Sequence, residues 1–178
     1  MMNLEEADGK NLQDFENGAI LRSKRGDIVA IKKSDLYWEL LSLAQFRGEP
    51  GDSRYVAINF NEERMGSIFG PDKHDYFNYL KPGDTAGKHY HRITREIFFA
   101  PYLEHSLTVK LKDIRTMEEI ELKLDAGLVE FEGKRWIRMI MIPEGIAHSV
   151  HNPNDIYVPI FATTTYEHGD ADAISFEM

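Results

Sequence analysis

The sequence predicts an all-β protein folded as one antiparallel sandwich or barrel, and three observations carry that prediction. From residue 55 onward the chain is a succession of short runs rich in β-branched and aromatic residues, at 55–60, 65–69, 75–80, 89–91, 96–100, 107–111, 119–124, 135–142, 148–150 and 156–164. Gly, Pro, Asp and Asn stand between these runs, where turns and loops need them. The whole chain has 178 residues, enough for one sizeable core and too few for two ordinary domains.

Taken in order, residues 1–18 are polar, carry Gly9 and Gly18, and show no sustained period, which reads as a loose arm or an edge segment. Residues 19–32 read as two short strands around a turn at Arg25-Gly26-Asp27. From Ser34 or Asp35 as N-cap, the apolar positions Leu36, Tyr37, Leu40, Leu41 and Ala44 follow a helical spacing that stops at Gly48-Glu49-Pro50, so one short helix is expected there. No low-complexity linker or internal repeat breaks the chain. Residues 1–178 are therefore read as a single domain: an N-terminal arm and helix over 1–50, a barrel over 52–166 and a C-terminal tail over 167–178. The N-terminal strands and helix have no place inside a minimal barrel. They are expected to extend one sheet or to pack across a twofold partner, which makes a homodimer the default.

Composition narrows the functional classes. Hydrophobic residues make up 42% and aromatics 11%, and no apolar run approaches the roughly 18 residues of a membrane span, so no membrane partner is expected. The opening residues Met-Met-Asn-Leu-Glu-Glu are acidic and lack the basic and apolar regions of a signal peptide, which fits a cytoplasmic setting. With 21 basic against 30 acidic residues, the net charge of −9 would repel a phosphate backbone, and nucleic acid is not expected as a partner. A diphosphate on a small molecule asks only for a few local Arg or Lys residues. Absence of cysteine excludes disulfides and leaves nitrogen and oxygen as the ligands for any metal.

Those ligands are present. Side chains alternate along a strand, so His89 and His91 share a face, and His148 on a later strand can converge on them. Strict alternation from His91 would put Glu96 on the opposite face, so a bulge or turn within 92–95 must re-aim it. A single inward histidine is usually a hydrogen-bonded core residue. Three imidazoles and a carboxylate together make a ligand set for a divalent transition metal, and that set accepts zinc, manganese, iron or nickel.

The same residues carry a resemblance. Gly83, His89, His91 and Glu96, followed by Pro143, Gly145, His148 and Asn152, resemble the paired motifs of the cupin superfamily. The resemblance covers roughly 52–166. It implies a double-stranded β-helix, or jelly-roll barrel, with these ligands facing inward. Where many cupins close the first motif and open the second with glycine, Leu103 and Ile137 stand here, which sets the chain apart from the best-known dioxygenase members. It is more similar to the dTDP-4-dehydrorhamnose 3,5-epimerase and dTDP-sugar ketoisomerase branch, and to the cupin domain of capsular-polysaccharide reductases. The segments that carry this likeness are 87–91, 111–115, 143–148 and 163–170.

That branch implies an isomerase or epimerase acting on a nucleotide-linked or free keto sugar, with His89 as general base and His91 assisting. The strand tyrosine used as acid by the epimerases is matched by Phe161, which cannot donate a proton, so Tyr157, Tyr166 or another tyrosine would have to serve. Two alternatives stay open: a metal-dependent dioxygenase or lyase acting on a small acid, and a non-catalytic metabolite-binding cupin.

Around the mouth, Tyr79, Lys88, Tyr90, Arg92 and Arg95 are the residues to watch; Tyr90, lying between the histidines, should face away from them. His74, His105, His151 and His168 fall outside the ligand pattern, and Asn152 is expected to close a turn before Pro153. The aromatics Phe69, Tyr76, Phe77, Phe98, Phe99, Trp136 and Phe161 read mostly as core.

Overall fold

A computed structural model describes residues 13–15, 18–23, 25–43, 45–46, 56–57, 74–101, 105–125, 127–165 and 172–178. In chain order the strands are β1 (Gln13–Phe15), β2 (Gly18–Arg22), β3 (Ile28–Lys32), β4 (Trp38–Leu43), β5 (Gln45–Phe46), β6 (Val56–Ala57), β7 (His74–Leu80), β8 (Thr85–His91), β9 (Glu96–Phe99), β10 (Leu107–Asp113), β11 (Glu119–Leu124), β12 (Leu128–Phe131), β13 (Lys134–Ile142), β14 (Ile146–His151), β15 (Val158–Thr164) and β16 (Ala173–Ser175). Among the described residues there is no helix, and so none long and apolar enough to cross a membrane.

Pairing builds two main antiparallel sheets. The larger runs β1-β2-β3-β4-β13-β9-β15-β7, with β12 also on β13, and the smaller runs β11-β10-β14-β8-β16. The expected barrel strands sit where the β-rich runs predict, apart from end shifts, and β2 and β3 flank the expected turn at Arg25-Gly26-Asp27. The N-terminal strands extend the large sheet. Residues 173–175, read from sequence as part of a tail, instead pair with β8 and close the small sheet's edge. The strand expected at 65–69, most of that at 55–60, and Leu103, Tyr166 and His168 lie outside the described residues.

Apolar burial joins the sheets face to face. One cluster takes Leu80, Phe98, Ile140, Ile142 and Ile160 from the large sheet and Val109, Leu111, Ile146 and Val150 from the small one. A second cluster, with Met139, Ile97, Phe99, Leu40 and Ile28, lies on the opposite face of the large sheet, and Trp136 anchors a third with Ile20, Val29, Ile31 and Leu41. At about 25 cal/mol per Å² of apolar surface removed from water, such burial is the main stabilising contribution of the fold.

The helix expected from Ser34 or Asp35 to Ala44 is corrected by the structure: 38–43 is β4, bonded to β3 on one side and β13 on the other. Ser34 accepts a hydrogen bond from the Leu36 N–H in a local turn at 3.1 Å rather than capping a helix. The cause is two-sided burial. Leu40 enters one core cluster and Leu41 another, so apolar residues occupy both faces of the strand and imitate a helical spacing. A second correction concerns Phe77, read as core: it is 61% exposed, because it lies on the outward face of β7.

Candidate metal centre

The centre is built across the barrel. His89 and His91 come from β8 and His148 from β14, neighbours in the small sheet whose residues 89 and 148 sit directly opposite each other. Glu96 comes from β9 in the large sheet, where it pairs with Ile142 and Thr164. Residues 92–95 lie between the end of β8 and the start of β9, so the chain changes sheet there and Glu96 re-enters facing the imidazoles. This is the re-aiming that the sequence spacing demanded. Asp172 secures the corner: its Oδ1 accepts the N–H groups of Arg92 and Ile93, each at 3.0 Å.

A local irregularity sets the approach of β8 to β14. The register shifts between His148 and Ser149, leaving Lys88 as the extra residue of a bulge, with Gly87 at φ +86° and Lys88 at φ +63°. A Cβ at position 87 would stand 2.8 Å from the His148 carbonyl oxygen. Only glycine both adopts that φ without strain and lets the two backbones approach so closely.

One ligand atom from each of His89, His91, Glu96 and His148 falls within 4.8 Å of all the others. His89 Nε2 is 3.1 Å from His91 Nε2, and Glu96 Oε2 lies 2.8 Å from His148 Nε2 and 3.6 Å from His91 Nε2. His91, Glu96 and His148 are almost completely buried and His89 is half-buried.

Each donor also has a partner behind it. His91 Nδ1 faces Asp172 Oδ2 at 3.1 Å, His148 Nδ1 faces the Ile146 carbonyl at 3.3 Å, and the Tyr76 hydroxyl donates to Glu96 Oε1 at 2.7 Å. His89 has a hydrogen bond to the backbone of Gly87. An imidazole whose Nδ1–H is taken by an oxygen keeps its Nε2 lone pair free for the centre, which is how metal-ligating histidines are usually oriented.

Electrostatics agree with neutral nitrogen donors. Burial, followed by the neighbouring His148, lowers the His89 pKa to about 4 against the opposing pull of Glu96, so this imidazole is uncharged at neutral pH. Burial and then the Glu96 charge push the Tyr76 phenol well above its usual range, so it stays a proton donor. Asp172 is held below the usual carboxylate range. Burial pushes it up, but hydrogen bonds from Thr94 and the Ile93 and Arg92 N–H groups, with His91 alongside, outweigh that.

Beside the donors lies a cavity of about 70 Å³, lined by His89, Glu96 and His148 together with Tyr76, Asn78 and Phe98. It has room for a few water molecules or for one ring of a ligand, with the remainder outside.

The other residues marked in the sequence separate clearly. Tyr79, Lys88 and Arg92 are exposed, and Tyr90 turns away to meet Phe176 at 6.1 Å between ring centroids. Arg95 points out of the cavity to Glu144, with Nε 2.8 Å from Oε2. His151 Nδ1 meets Thr85 Oγ1 at 3.1 Å, and His74 and His105 are not in the cluster. Asn152 Nδ2 donates to the carbonyls of Leu80, Lys81 and Ile156, the structural role its place before Pro153 suggested. Phe161 lies on the outer face against Phe77, with ring centroids 4.9 Å apart, while its neighbours Ile160 and Ala162 line the cavity. Tyr157 is exposed.

Sequence reasoning missed Asp172, and although Tyr76 packs against the core as read, it missed the hydrogen bond from that tyrosine to Glu96. Alternation along β7 sends Tyr76, Asn78 and Leu80 inward together, a signal that was available; nothing local marks Asp172.

No family model and no curated protein matches this sequence. Solved structures do match. The dTDP-4-dehydrorhamnose 3,5-epimerase of Sulfolobus tokodaii superposes with a TM-score of 0.61 at 16% identity, over 84% of this chain and 81% of that one. A 3,4-ketoisomerase of Helicobacter canadensis gives 0.55 at 18% identity, over 78% and 89%. The capsular polysaccharide assembling protein CapF of Staphylococcus aureus gives 0.50 at 22% identity, over 62% of this chain; the match spans only 29% of that longer protein. These likenesses establish the fold, a jelly-roll barrel shared with a sugar epimerase and a ketoisomerase.

Proposed function

We propose that this chain holds a divalent transition metal and acts on a keto sugar, free or nucleotide-linked, by moving a proton at a carbon next to the carbonyl. The observation that carries the reading is that each inward donor is also held from behind, so that His91 Nε2, His148 Nε2 and Glu96 Oε2 are turned toward one another. These three buried side chains would be the fixed donors. The half-buried His89, on the cavity wall, would be either the fourth donor or the proton acceptor. A bound metal supplies Lewis acidity, which polarises a carbonyl and makes the adjacent C–H easier to break. Phe98, Leu80, Val150 and Ile160 wall the cavity with apolar surface and limit water at the reacting atoms. A neutral His89 can accept the released proton and return it at the former carbonyl carbon, while the proton of the adjacent hydroxyl passes to the former carbonyl oxygen, so that carbonyl and hydroxyl exchange places.

Similarity of fold to sugar epimerases and ketoisomerases supports the choice of a keto sugar. The outward Phe161 and the Tyr76 hydroxyl committed to Glu96 favour a single-base isomerisation over an epimerisation that needs a separate acid. A second reading has His89 as a metal-free base assisted by His91, favoured by their 3.1 Å contact and by the Asp172 carboxylate behind His91.

Elemental analysis of protein purified without an affinity tag separates the two. Thermal-shift measurement with dTDP-sugars, UDP-sugars and free keto sugars, followed by deuterium uptake from solvent at the carbon beside the carbonyl, tests the chemistry. Neither a shift nor uptake across that panel would sink both readings. His89→Ala should abolish uptake while leaving the melting behaviour of a folded protein.

A further inference from the structure

We infer that Tyr76 is a positioning residue that decides which oxygen of Glu96 faces the centre, and so keeps the carboxylate a one-oxygen donor. The inference rests on the metal-holding reading above. The two oxygens of Glu96 stand in different surroundings. Oε1 accepts the Tyr76 O–H at 2.7 Å, whereas Oε2 looks toward His148 Nε2 at 2.8 Å and His91 Nε2 at 3.6 Å.

The path between Tyr76 and Glu96 is built into the sheet. Ala162 of β15 pairs with Tyr76 on one side and Phe98 on the other, and Glu96 pairs with Thr164, two residues along. Tyr76 and Ala162 both line the cavity, and a fully buried alanine at 162 leaves room for the phenol to reach diagonally over β15 to the carboxylate. The last torsion of a glutamate is soft, so without an anchor its oxygens exchange places readily. With Oε1 engaged by a hydroxyl, a metal is offered Oε2 alone, and the cavity side of the centre is left for a ligand's oxygen.

Tyr76→Phe removes one oxygen atom and keeps the ring. Zinc affinity, read by competition with a chromogenic chelator, is expected to fall about ten- to a hundredfold, the range seen when an outer partner of a metal ligand is removed. The visible spectrum of the cobalt-loaded protein should change with the number of donors, while the circular dichroism of the variant stays that of the wild type. In a Glu96→Ala background, Tyr76→Phe should cause no further loss, because the group it acts through is gone. Unchanged zinc affinity and cobalt spectrum in Tyr76→Phe would overturn the inference alone. An equal loss in the Glu96→Ala background would also overturn it, since Tyr76 would then act on the fold. Wild-type protein that takes up neither zinc nor cobalt would bring down the metal reading and this inference together.

Discussion

The two main sheets meet at one centre, but within each the strands are buried unequally: β14 of the small sheet is buried at five of its six positions and β7 of the large sheet at one of seven. In the small sheet β10 alternates, with Leu107, Val109, Leu111 and Asp113 buried and Lys110 exposed between them. In the large sheet β9 is buried at all four positions and β15 at six of its seven. The small sheet supplies the three histidines, and the large one supplies Glu96 and Tyr76. A strand with one wet face prints its orientation in the sequence, and a strand buried on both faces does not.

If the donors from the two sheets form one centre, removing either kind should have the same consequence. His148→Ala and Glu96→Ala are each expected to weaken zinc binding sharply and by similar factors, read by chelator competition; wild-type affinity in either variant would break the equivalence. Next in size is the large sheet's own core. Trp136 is 1% exposed and donates its indole N–H to the Phe131 carbonyl at 2.8 Å, so Trp136→Ala should lower unfolding stability by about 3–5 kcal/mol in urea denaturation.

A backbone test follows at the contact between β8 and β14. Gly87→Ala meets both the left-handed φ and the His148 carbonyl and should cost about 1–3 kcal/mol, while also weakening zinc binding because His148 must move. A substitution as mild as Lys110→Ala, on the wet face of the small sheet, should stay within about 0.5 kcal/mol.

Acidity gives a smaller, graded effect. In chelator-treated protein the unfolded His89 takes up a proton near its ordinary 6.5, but the folded one only at about 4. More protons are then bound by the unfolded state across that interval. Stability contributed by a neutral His89 is complete above pH 6.5 and is lost as pH falls toward 4. Melting temperature measured against pH should fall across this window, and less steeply in His89→Phe.

Legibility in the sequence differed from strand to strand. The placement of His89, His91 and His148 came from alternation and motif spacing, and β8 and β14 obey it because their inward faces line a cavity. Glu96 was legible only as a demand for a turn, since its direction depends on where 92–95 crosses between sheets and on Asp172 fastening that crossing. The expected helix failed at β4, whose Leu40 and Leu41 both find apolar partners on opposite faces. Asp172 was illegible because its partner is 81 residues away along the chain.

By itself the sequence determined the strand-rich character of the chain, the absence of thiol ligands, and the set of nitrogen and oxygen donors on offer. Those follow from side-chain chemistry and from a period of two, which are local properties. Only the tertiary structure decided that Glu96 faces the histidines, that Tyr76 and Asp172 stand behind the donors, and that Phe161 faces outward. Each of these depends on which strands pair and in what register, and register is settled by burial across the whole barrel rather than by any one segment.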